Sequence, residues 1–431
     1  MYLTKLLSQF FKLFFCLFVF LLPWQTKLIL RAGETNFTEI SLYVSQALLF
    51  VALILFFIYK SRRQYFGERI PVVWYFLAGL ELFVFVSLFL AHDQVLAFYR
   101  YLLFLEAIGL FYILREGTLS RNYEESALDK IKVIYVLLSS VFLQACLGIY
   151  QFLTQSSFAY KYLGLAAHNP ENLGVAVIET ASGRYLRAYG GFDHPNILGG
   201  VLAISIILVA FLLVKKKVLN SNREVFESIF LFIFYFFGIF ALFFTFSRAA
   251  WIAFSFGLLI LLISLIVKKD RWMIGRFLAL IFFSVILLFI VGNPYKDLLK
   301  VRIDANTRLE QKSLNEREAY FWQAKDLIQR NPLFGVGIGN YTETLNDREI
   351  IKQPAWVNQP VHNSFLLILS ENGVVSLIFF VGFLVCLIIK DRREVYSWAI
   401  FATLIILMML DHWFISLPFG VSFMFLVLGL I

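Results

Sequence analysis

The sequence predicts an all-α, polytopic membrane protein with about 12 transmembrane helices and a large outer loop between spans 9 and 10. Three observations lead to this fold class. The 431 residues are 60% hydrophobic and only 16% charged, whereas soluble domains carry about 25% charged residues. The apolar residues form runs of roughly 20, the length that crosses a bilayer as a helix. The Lys and Arg residues behind the net charge of +9 occupy short segments between these runs, which indicates membrane topology rather than nucleic-acid binding.

Twelve apolar segments are long enough to be candidate spans. They cover residues 7–23, 40–59, 71–91, 95–114, 131–153, 194–214, 226–246, 249–267, 273–292, 362–389, 395–411 and 414–431. No small-residue cleavage site follows the first run, so we interpret it as a membrane helix and not as a signal peptide. No segment suggests a separate soluble domain, and residues 1–431 are therefore predicted to form a single integral membrane domain.

The basic residues predict the orientation of these spans. The second, fourth, sixth, eighth and tenth connections each carry three or four Lys and Arg residues, whereas the turns at 91–94, 245–248 and 411–412 carry one at most. The positive-inside rule then places both termini in the cytoplasm and the long loops 154–193 and 293–361 on the extracytoplasmic side. ATP and nucleotide sugars are absent from that side, so a substrate used there must arrive already activated.

Arg248 interrupts an apolar stretch, residues 226–267, that is otherwise long enough for two spans. The interruption, Thr245-Phe246-Ser247-Arg248, contains no acidic residue, so we expect an unpaired guanidinium close to the hydrocarbon. A charge at that depth costs about 3 kcal/mol or more and by default marks a functional site. The alternative is an arginine that snorkels to the interface.

The segment 315–330, NEREAYFWQAKDLIQR, is predicted to form a helix in the large outer loop. Asn315 is suited to the N-cap position, and Asn331-Pro332 ends the helix. Arg317 then lies in the first turn, where free backbone N–H groups form an anion site. The alternative is a solvated arginine that pairs with a nearby Asp or Glu.

Glycines follow this helix in the sequence Pro332-Leu-Phe-Gly335-Val-Gly337-Ile-Gly339. No strand precedes them, so their spacing is not that of a dinucleotide-binding loop. We interpret them as glycines that permit a tight turn and close packing.

Arg187, His194 and Asn196 come just before the sixth predicted span, in the sequence RAYGGFDHPN. These side chains could line a binding site. The Asp-His-Pro-Asn turn could instead cap the helix that begins at Pro195, and we favour this structural interpretation.

His362 and Asn363 begin the apolar run 362–389 and face outward, on the same side as Arg248 and Arg317. These residue types suit one reaction. Two arginines can hold a diphosphate leaving group through bidentate contacts. A histidine, which titrates near neutral pH, can take a proton from an incoming hydroxyl. A structural hydrogen bond made by the histidine is the alternative.

No metal or other cofactor is expected. The outer loops contain no Asp- and Glu-rich cluster with the spacing of metal ligands. The pairs His92-Asp93 and Asp411-His412 are interpreted as polar tight turns.

Four sequence elements follow one another in a definite order. They are the segment from Arg187 to Asn196, then Thr-Phe-Ser-Arg248-Ala-Ala-Trp, then Arg317 ahead of Pro-Leu-Phe-Gly-Val-Gly, and finally His362-Asn363 followed after nine residues by Gly373 and then by Ser376. In these elements the sequence resembles the O-antigen ligase and O-antigen polymerase superfamily of bacterial envelope glycosyltransferases. The family's last motif ends in Gly, Thr or Tyr, where this chain has Ser376.

The resemblance implies a metal-independent, inverting glycosyltransferase of the bacterial cytoplasmic (inner) membrane with an extracytoplasmic active site. Its partners would be a donor glycan on undecaprenyl diphosphate and an acceptor that is a glycan, a lipid or a protein, as in the biosynthesis of lipopolysaccharide and other cell-envelope polysaccharides. Arg248 and Arg317 would bind the diphosphate, and His362 would activate the acceptor hydroxyl.

The resemblance also implies that Arg187, His194, Asn196 and Asn363 contribute to substrate binding. Within the superfamily, a polysaccharide polymerase and a protein O-oligosaccharyltransferase are alternatives to a ligase. A non-catalytic transporter of lipid-linked glycans is an alternative from a different class, and it would have its site near the middle of the membrane.

Overall fold

A computed structural model describes residues 2–61, 70–117, 128–216, 221–304, 306–348, 357–390 and 395–431. The first nine helices are α1 (Tyr2–Leu21), α2 (Val44–Ser61), α3 (Val72–Leu88), α4 (Gln94–Glu116), α5 (Lys130–Thr154), α6 (Pro195–Lys215), α7 (Asn222–Phe244), α8 (Arg248–Val267) and α9 (Arg271–Gly292). Three helices of the large loop follow, α10 (Lys296–Asp304), α11 (Arg308–Arg330) and α12 (Tyr341–Arg348). The last four are α13 (Ser364–Lys390), α14 (Val395–Leu410), α15 (Trp413–Ser416) and α16 (Pro418–Leu430).

Two short antiparallel hairpins complete the described part of the chain. One pairs β1 (Lys27–Arg31) with β2 (Ile40–Tyr43). The other pairs β3 (Val177–Thr180) with β4 (Gly183–Leu186) in the loop before α6. Neither hairpin was predicted from the sequence, because each strand is only four or five residues long.

The prediction of an all-α, polytopic membrane protein is confirmed. Among the described residues, nine helices are long and apolar enough to cross a membrane, and α3, α14 and α16 are shorter apolar helices. Together these helices occupy the positions of the twelve predicted spans. α6 lies at the centre of the bundle, with 18 of its 21 residues buried. Around it, α1 packs on α2, α3 on α13, α4 on α16, and α8 on α14.

Two predicted spans are shorter than expected. Residues 40–43 belong to β2, so the second span begins at Val44. The last predicted span, 414–431, is interrupted at Leu417-Pro418, because a proline has no N–H to continue the hydrogen bonds of α15. α16 therefore has only 13 residues.

α13 is broken at Gly373, where φ is +78° and ψ is 176°. A side chain at this position would place its Cβ 2.0 Å from the carbonyl oxygen of Leu333. The glycine of the His-Asn-x9-Gly motif is therefore required by the backbone, because it lets the loop after α11 approach α13 closely.

The glycine-rich loop after α11 fills the break in α13. The backbone N–H of Val336 donates to the carbonyl of Ser370 at 2.9 Å, and that of Gly337 donates to the carbonyl of Glu371 at 2.8 Å. These carbonyls lose helical partners at the break, and the loop supplies new ones. Gly337 has a φ of +101°, and a Cβ added to it would collide with Ala91. The prediction of a tight turn with close packing is therefore confirmed.

The polar connections that concern function meet at one end of the bundle. The loop before α6 contacts the turn between α7 and α8, where Arg187 Nε donates to the carbonyl of Thr245 at 2.7 Å. The start of α6 contacts the turn after α14, where Asn196 Nδ2 lies 3.2 Å from Asp411 Oδ2. The large loop and the start of α13 lie at this same end.

Candidate active site

A polar cavity of about 360 Å³ opens at this end of the bundle. His194 and Asn196, at the start of α6, line this cavity. His362, two residues before α13 begins, lines it as well. Asp411 and His412, in the turn after α14, also line it, together with Glu34 and Asp193. Three imidazoles and three carboxylates thus surround one cavity.

The segment before α13 fixes the position of His362. Asn363 caps the helix, because its Oδ1 accepts from the N–H of Leu366 at 3.0 Å. Its Nδ2 donates to the carbonyl of Met409 at 3.0 Å, and Ser364 Oγ donates to the carbonyl of Asp411 at 2.8 Å. The Asn363 amide, which was predicted to bind substrate, is occupied with these structural contacts.

His362 lies next to a buried carboxylate. Its Nδ1 is 3.4 Å from Asp411 Oδ1, and the Asp411 side chain is only 7% exposed. Burial alone would raise the pKa of Asp411, but the contact with His362 and the nearby charges outweigh it and hold that pKa well below its usual value. Asp411 is therefore a carboxylate that faces the imidazole of His362.

His412 is buried, His194 is partly buried, and both are neutral. Burial, together with the charges of His362 and Arg317, lowers the pKa of His412 to about 3. Its Nδ1 lies 2.7 Å from Ser416 Oγ. Burial likewise lowers the pKa of His194 to about 3, and neither ring carries charge at neutral pH.

His194 has the capping role that the sequence indicated. It is the N-cap of α6, and its Nδ1 accepts from the backbone N–H of Asn196 at 3.1 Å. Asn196 in turn accepts from Arg187 Nη2 at 2.9 Å and donates to Asp411. These three residues form a network behind Asp411, and Arg187 is almost fully buried within it.

One group of side chains has the composition of a metal site. Ligand atoms of His362, Asp411 and His412 lie within 4.8 Å of one another. Two histidines and a carboxylate are a set that Zn²⁺ uses, with metal–ligand distances of about 2.0–2.2 Å. The three groups would have to move closer to one another to reach that geometry, and Asp411 and His412 already contact Asn196 and Ser416. This cluster escaped the sequence analysis because Asp411-His412 was interpreted as a tight turn.

Arg248 has an acidic partner, contrary to the expectation from its hairpin. Its Nη2 lies 3.0 Å from Oε2 of Glu310, a residue in the first turn of α11. Glu310 is buried and also pairs with Arg302 of α10. Arg302 Nε donates to the carbonyl of Phe246 at 3.0 Å. The partner was missed because it lies on another element of the fold, in the large loop.

Of the two arginines predicted to bind a diphosphate, Arg317 is the one with a free guanidinium. It is half-buried and makes no ion pair or side-chain hydrogen bond to a residue that the structure describes. Tyr320, one turn later, has its ring centre 6.0 Å from that of His362. The charge of Arg317 also lowers the pKa of both Asp411 and His412, so this guanidinium lies beside the histidine cavity.

The predicted start of the helix that carries Arg317 is wrong. α11 begins at Arg308 and not at Asn315, with Thr307 at the N-cap position. The preceding residues, RLEQKSL, are mostly good helix formers, and they extend the helix by two turns. Arg317 therefore lies inside α11, and no free N–H groups of a helix N-terminus accompany it.

Comparison with known proteins supports the predicted family. Residues 230–381 match the family model described as O-Antigen ligase. This chain carries an O-antigen ligase family domain. The prediction of the O-antigen ligase superfamily is thereby confirmed, and the matched region contains Arg248, Arg317, His362 and Gly373. A comparison with curated proteins gave no significant match.

The family assignment accounts for part of the site only. The O-antigen ligase domain includes the two arginines and the histidine, but it ends before Asp411 and begins after Asn196. The fold brings these two residues, which lie outside the matched region, into the lining of the cavity. Members of this family are glycosyltransferase-like enzymes.

Proposed function

We propose that this protein transfers a glycan from a polyprenyl diphosphate carrier to an acceptor hydroxyl at the outer face of the cytoplasmic membrane. One observation carries the proposal: His362 faces the carboxylate of Asp411 in a polar cavity, with the unpaired Arg317 beside it. The distribution of Lys and Arg in the connections supports the outward orientation of this cavity.

His362 is the proposed general base. Asp411 favours a proton on Nδ1, the atom that faces it, and this leaves the Nε2 lone pair free to accept a proton. The acceptor hydroxyl gives its proton to Nε2 while its oxygen forms a bond to the anomeric carbon. The bond from that carbon to the diphosphate oxygen breaks, and the lipid diphosphate leaves with the electron pair. Attack from the face opposite the leaving group inverts the anomeric configuration.

The arginines favour a diphosphate. The guanidinium groups of Arg187, Arg248, Arg302 and Arg317 lie close enough that each influences another of the group. Glu310 is the carboxylate that pairs with two of them, Arg248 and Arg302. A cluster of four guanidinium groups around one paired carboxylate attracts an anionic ligand. Arg317 can accept a phosphate without breaking an ion pair to a described residue, whereas Arg248 must share its charge with Glu310.

The site needs no metal in this mechanism. The departing diphosphate is stabilised by guanidinium groups, and the proton is taken by His362. The carrier is proposed to be undecaprenyl diphosphate, since a polyprenyl tail can stay in the bilayer while its diphosphate reaches the end of the helix bundle.

The acceptor distinguishes the alternatives within the family. A ligase, a polysaccharide polymerase and a protein O-oligosaccharyltransferase would share the donor and the base and differ in the hydroxyl that attacks. A transporter is less well supported, because the cavity that contains His362 lies at one end of the bundle.

The test is glycan transfer by the purified protein in lipid nanodiscs. A lipid-diphosphate glycan is supplied with a lipid A core, a second lipid-linked glycan or a Ser-containing peptide, and the products are identified by mass spectrometry. We expect transfer to one acceptor class and a loss of about 10²–10⁴-fold in His362→Ala. Near-normal transfer by a folded His362→Ala variant, or no transfer to any of the acceptors, would contradict the proposal.

A further inference from the structure

A second polar cavity lies beside the histidine cavity, and the mechanism does not use it. Its volume is about 420 Å³, against about 360 Å³ for the cavity that contains His362. Glu34, in the connection between β1 and β2, lines both of them. A chain of sugars whose hydroxyl is held at His362 can therefore continue past this connection into the second cavity.

The lining of the second cavity is mostly polar. Arg31 comes from the end of β1, His92 and Asp93 from the turn between α3 and α4, and Asn346 from α12. No large apolar side chain lines it. The cavity therefore does not suit a lipid tail or an aromatic ring, and it suits a ligand that is covered with hydroxyl groups.

Two carboxylates in this cavity remain available to a ligand. Arg31 already pairs with Asp93 at 2.5 Å, and His92 lies 3.6 Å from Asp347. Glu34 and Glu343 form no ion pair or hydrogen bond through their carboxylates with any described residue. Burial and the negative charges of Asp93 and Glu34 raise the pKa of Glu343, and they outweigh the opposing influence of His92 and Arg31.

The second cavity is held in a fixed position relative to the histidine cavity. The backbone N–H of Asp93 donates to Asn340 Oδ1 at 2.7 Å. Asn358, which is fully buried and shortly precedes His362, donates from Nδ2 to Asn346 Oδ1 at 2.8 Å. The wall of the second cavity is thus bonded to the segment that carries the proposed base.

We propose that the second cavity binds sugar residues of the acceptor that carry no anionic group. This inference rests on the proposed glycan transfer at His362. Sugar hydroxyls donate hydrogen bonds to the free carboxylates of Glu34 and Glu343, and charge-assisted hydrogen bonds of this kind are the stronger ones. A uronic acid or a phosphorylated sugar would meet like charges at short range, where repulsion is substantial. The cavity therefore determines which acceptors can reach His362.

The experiment measures glycan binding directly, without a reaction. Labelled protein in nanodiscs is applied to an array of oligosaccharides that are neutral, amino-substituted, carboxylated or phosphorylated. We expect binding to neutral or amino-substituted glycans only. Ala32→Trp, which places a large ring in the cavity, should weaken it by at least about tenfold, and Glu343→Gln by about three- to tenfold. Glu171→Gln, an exposed carboxylate in the loop before α6, is the matched control and should bind as the wild type does.

Three outcomes of the array would overturn the inference: no binding by the wild type, equal binding by the wild type and by both cavity variants, or a preference for carboxylated or phosphorylated glycans. Glu343→Gln keeps the size of the side chain, so it remains informative if Ala32→Trp fails to fold. The proposed function is tested separately. Cavity-dependent binding without transfer from a lipid-diphosphate donor would contradict the transferase alone. Transfer with an unchanged acceptor KM in both variants would contradict this inference alone.

Discussion

His362 Nδ1 lies 3.4 Å from Oδ1 of the buried Asp411. This contact joins the start of α13 to the turn after α14, two elements that the O-antigen ligase domain does not cover together. Asp411 also accepts from Asn196 and from the backbone N–H of His412. These contacts hold the carboxylate in place beside the His362 imidazole, whose Nδ1 makes no hydrogen bond to a residue that the structure describes.

Asp411 is therefore expected to act as a positioning residue for the proposed base. Asp411→Asn keeps the size of the side chain but no longer favours a proton on Nδ1 of His362, so the ring loses its preferred tautomer. We predict a drop in kcat of about 10²-fold or more, with a nearly unchanged KM for the donor. The measurement is steady-state transfer by the variant, alongside its melting temperature in detergent.

The pH profile separates this role from a purely structural one. Asp411 stays ionised, and His194 and His412, each with a pKa of about 3, stay neutral between pH 5 and 8. Asp411→Asn removes the negative charge that faces the His362 imidazole, so the pH dependence of transfer should differ between the variant and the wild type. A variant whose activity falls while its pH profile keeps the wild-type shape would assign Asp411 a structural role.

Arg248 and Arg317 should differ in what they do for stability. Arg317→Ala removes a guanidinium that has no partner among the described residues, so we predict a raised donor KM and an unchanged melting temperature. Arg248→Ala removes one of the two cations that compensate the buried Glu310. Breaking such a pair is destabilising, and the remaining pair with Arg302 limits the loss to about 1–3 kcal/mol.

The lysine variants test how the arginines recognise the donor. A planar guanidinium can hold two phosphate oxygens, whereas an ammonium is a point charge. Arg317→Lys should therefore raise donor KM nearly as much as Arg317→Ala. Wild-type kinetics in Arg317→Lys would show that charge alone suffices, and a melting temperature that falls only for Arg317→Ala would show that this side chain has a structural partner.

The helices could be predicted from the sequence, because an apolar run of about 20 residues is typical of a membrane-spanning helix. The start of α11 could not, because RLEQKSL carries no apolar stripe and its helix propensity was outweighed by the attractive cap at Asn315. The interruption of the last predicted span at Pro418, between α15 and α16, was likewise hidden within a continuous apolar run. In the first case, the apparent cap residue Asn315 outweighed the helix-forming composition before it. In the second case, the apolar composition outweighed a proline that interrupts a helix.

The partners of the site residues were beyond sequence reasoning for a different reason. Arg248 finds Glu310 and His362 finds Asp411 through contacts between elements that are far apart in the chain. Spacing along one helix or hairpin carries no information on such pairs. A signal for Asp411 did exist, because an acidic residue beside a histidine at the end of an apolar span is costly unless it is used.

Chelation tests the metal-free mechanism. His362, Asp411 and His412 could supply ligands, but Asp411 already accepts from Asn196, and His412 Nδ1 contacts the Ser416 hydroxyl. We predict that transfer persists in EDTA and that the purified protein contains no stoichiometric zinc by elemental analysis. Activity lost in EDTA and restored by Zn²⁺ would instead make the cluster a metal centre.

Gly373 should be essential for stability and not only for the family motif. Its φ of +78° and ψ of 176° belong to a region that is almost restricted to glycine. Gly373→Ala adds about 1–3 kcal/mol of backbone strain. Its Cβ would also lie 2.0 Å from the Leu333 carbonyl oxygen, which displaces the loop that fills the break in α13. We predict a lower melting temperature in detergent and, because α13 carries the segment that holds His362, a lower kcat.

Gly275→Ala on α9 is the matched control, since no atom lies within 4 Å of its added Cβ and alanine favours a helix. Equal stability of the two variants would mean that α13 tolerates a continuous helix at this position and that the glycine-rich loop does not depend on the break.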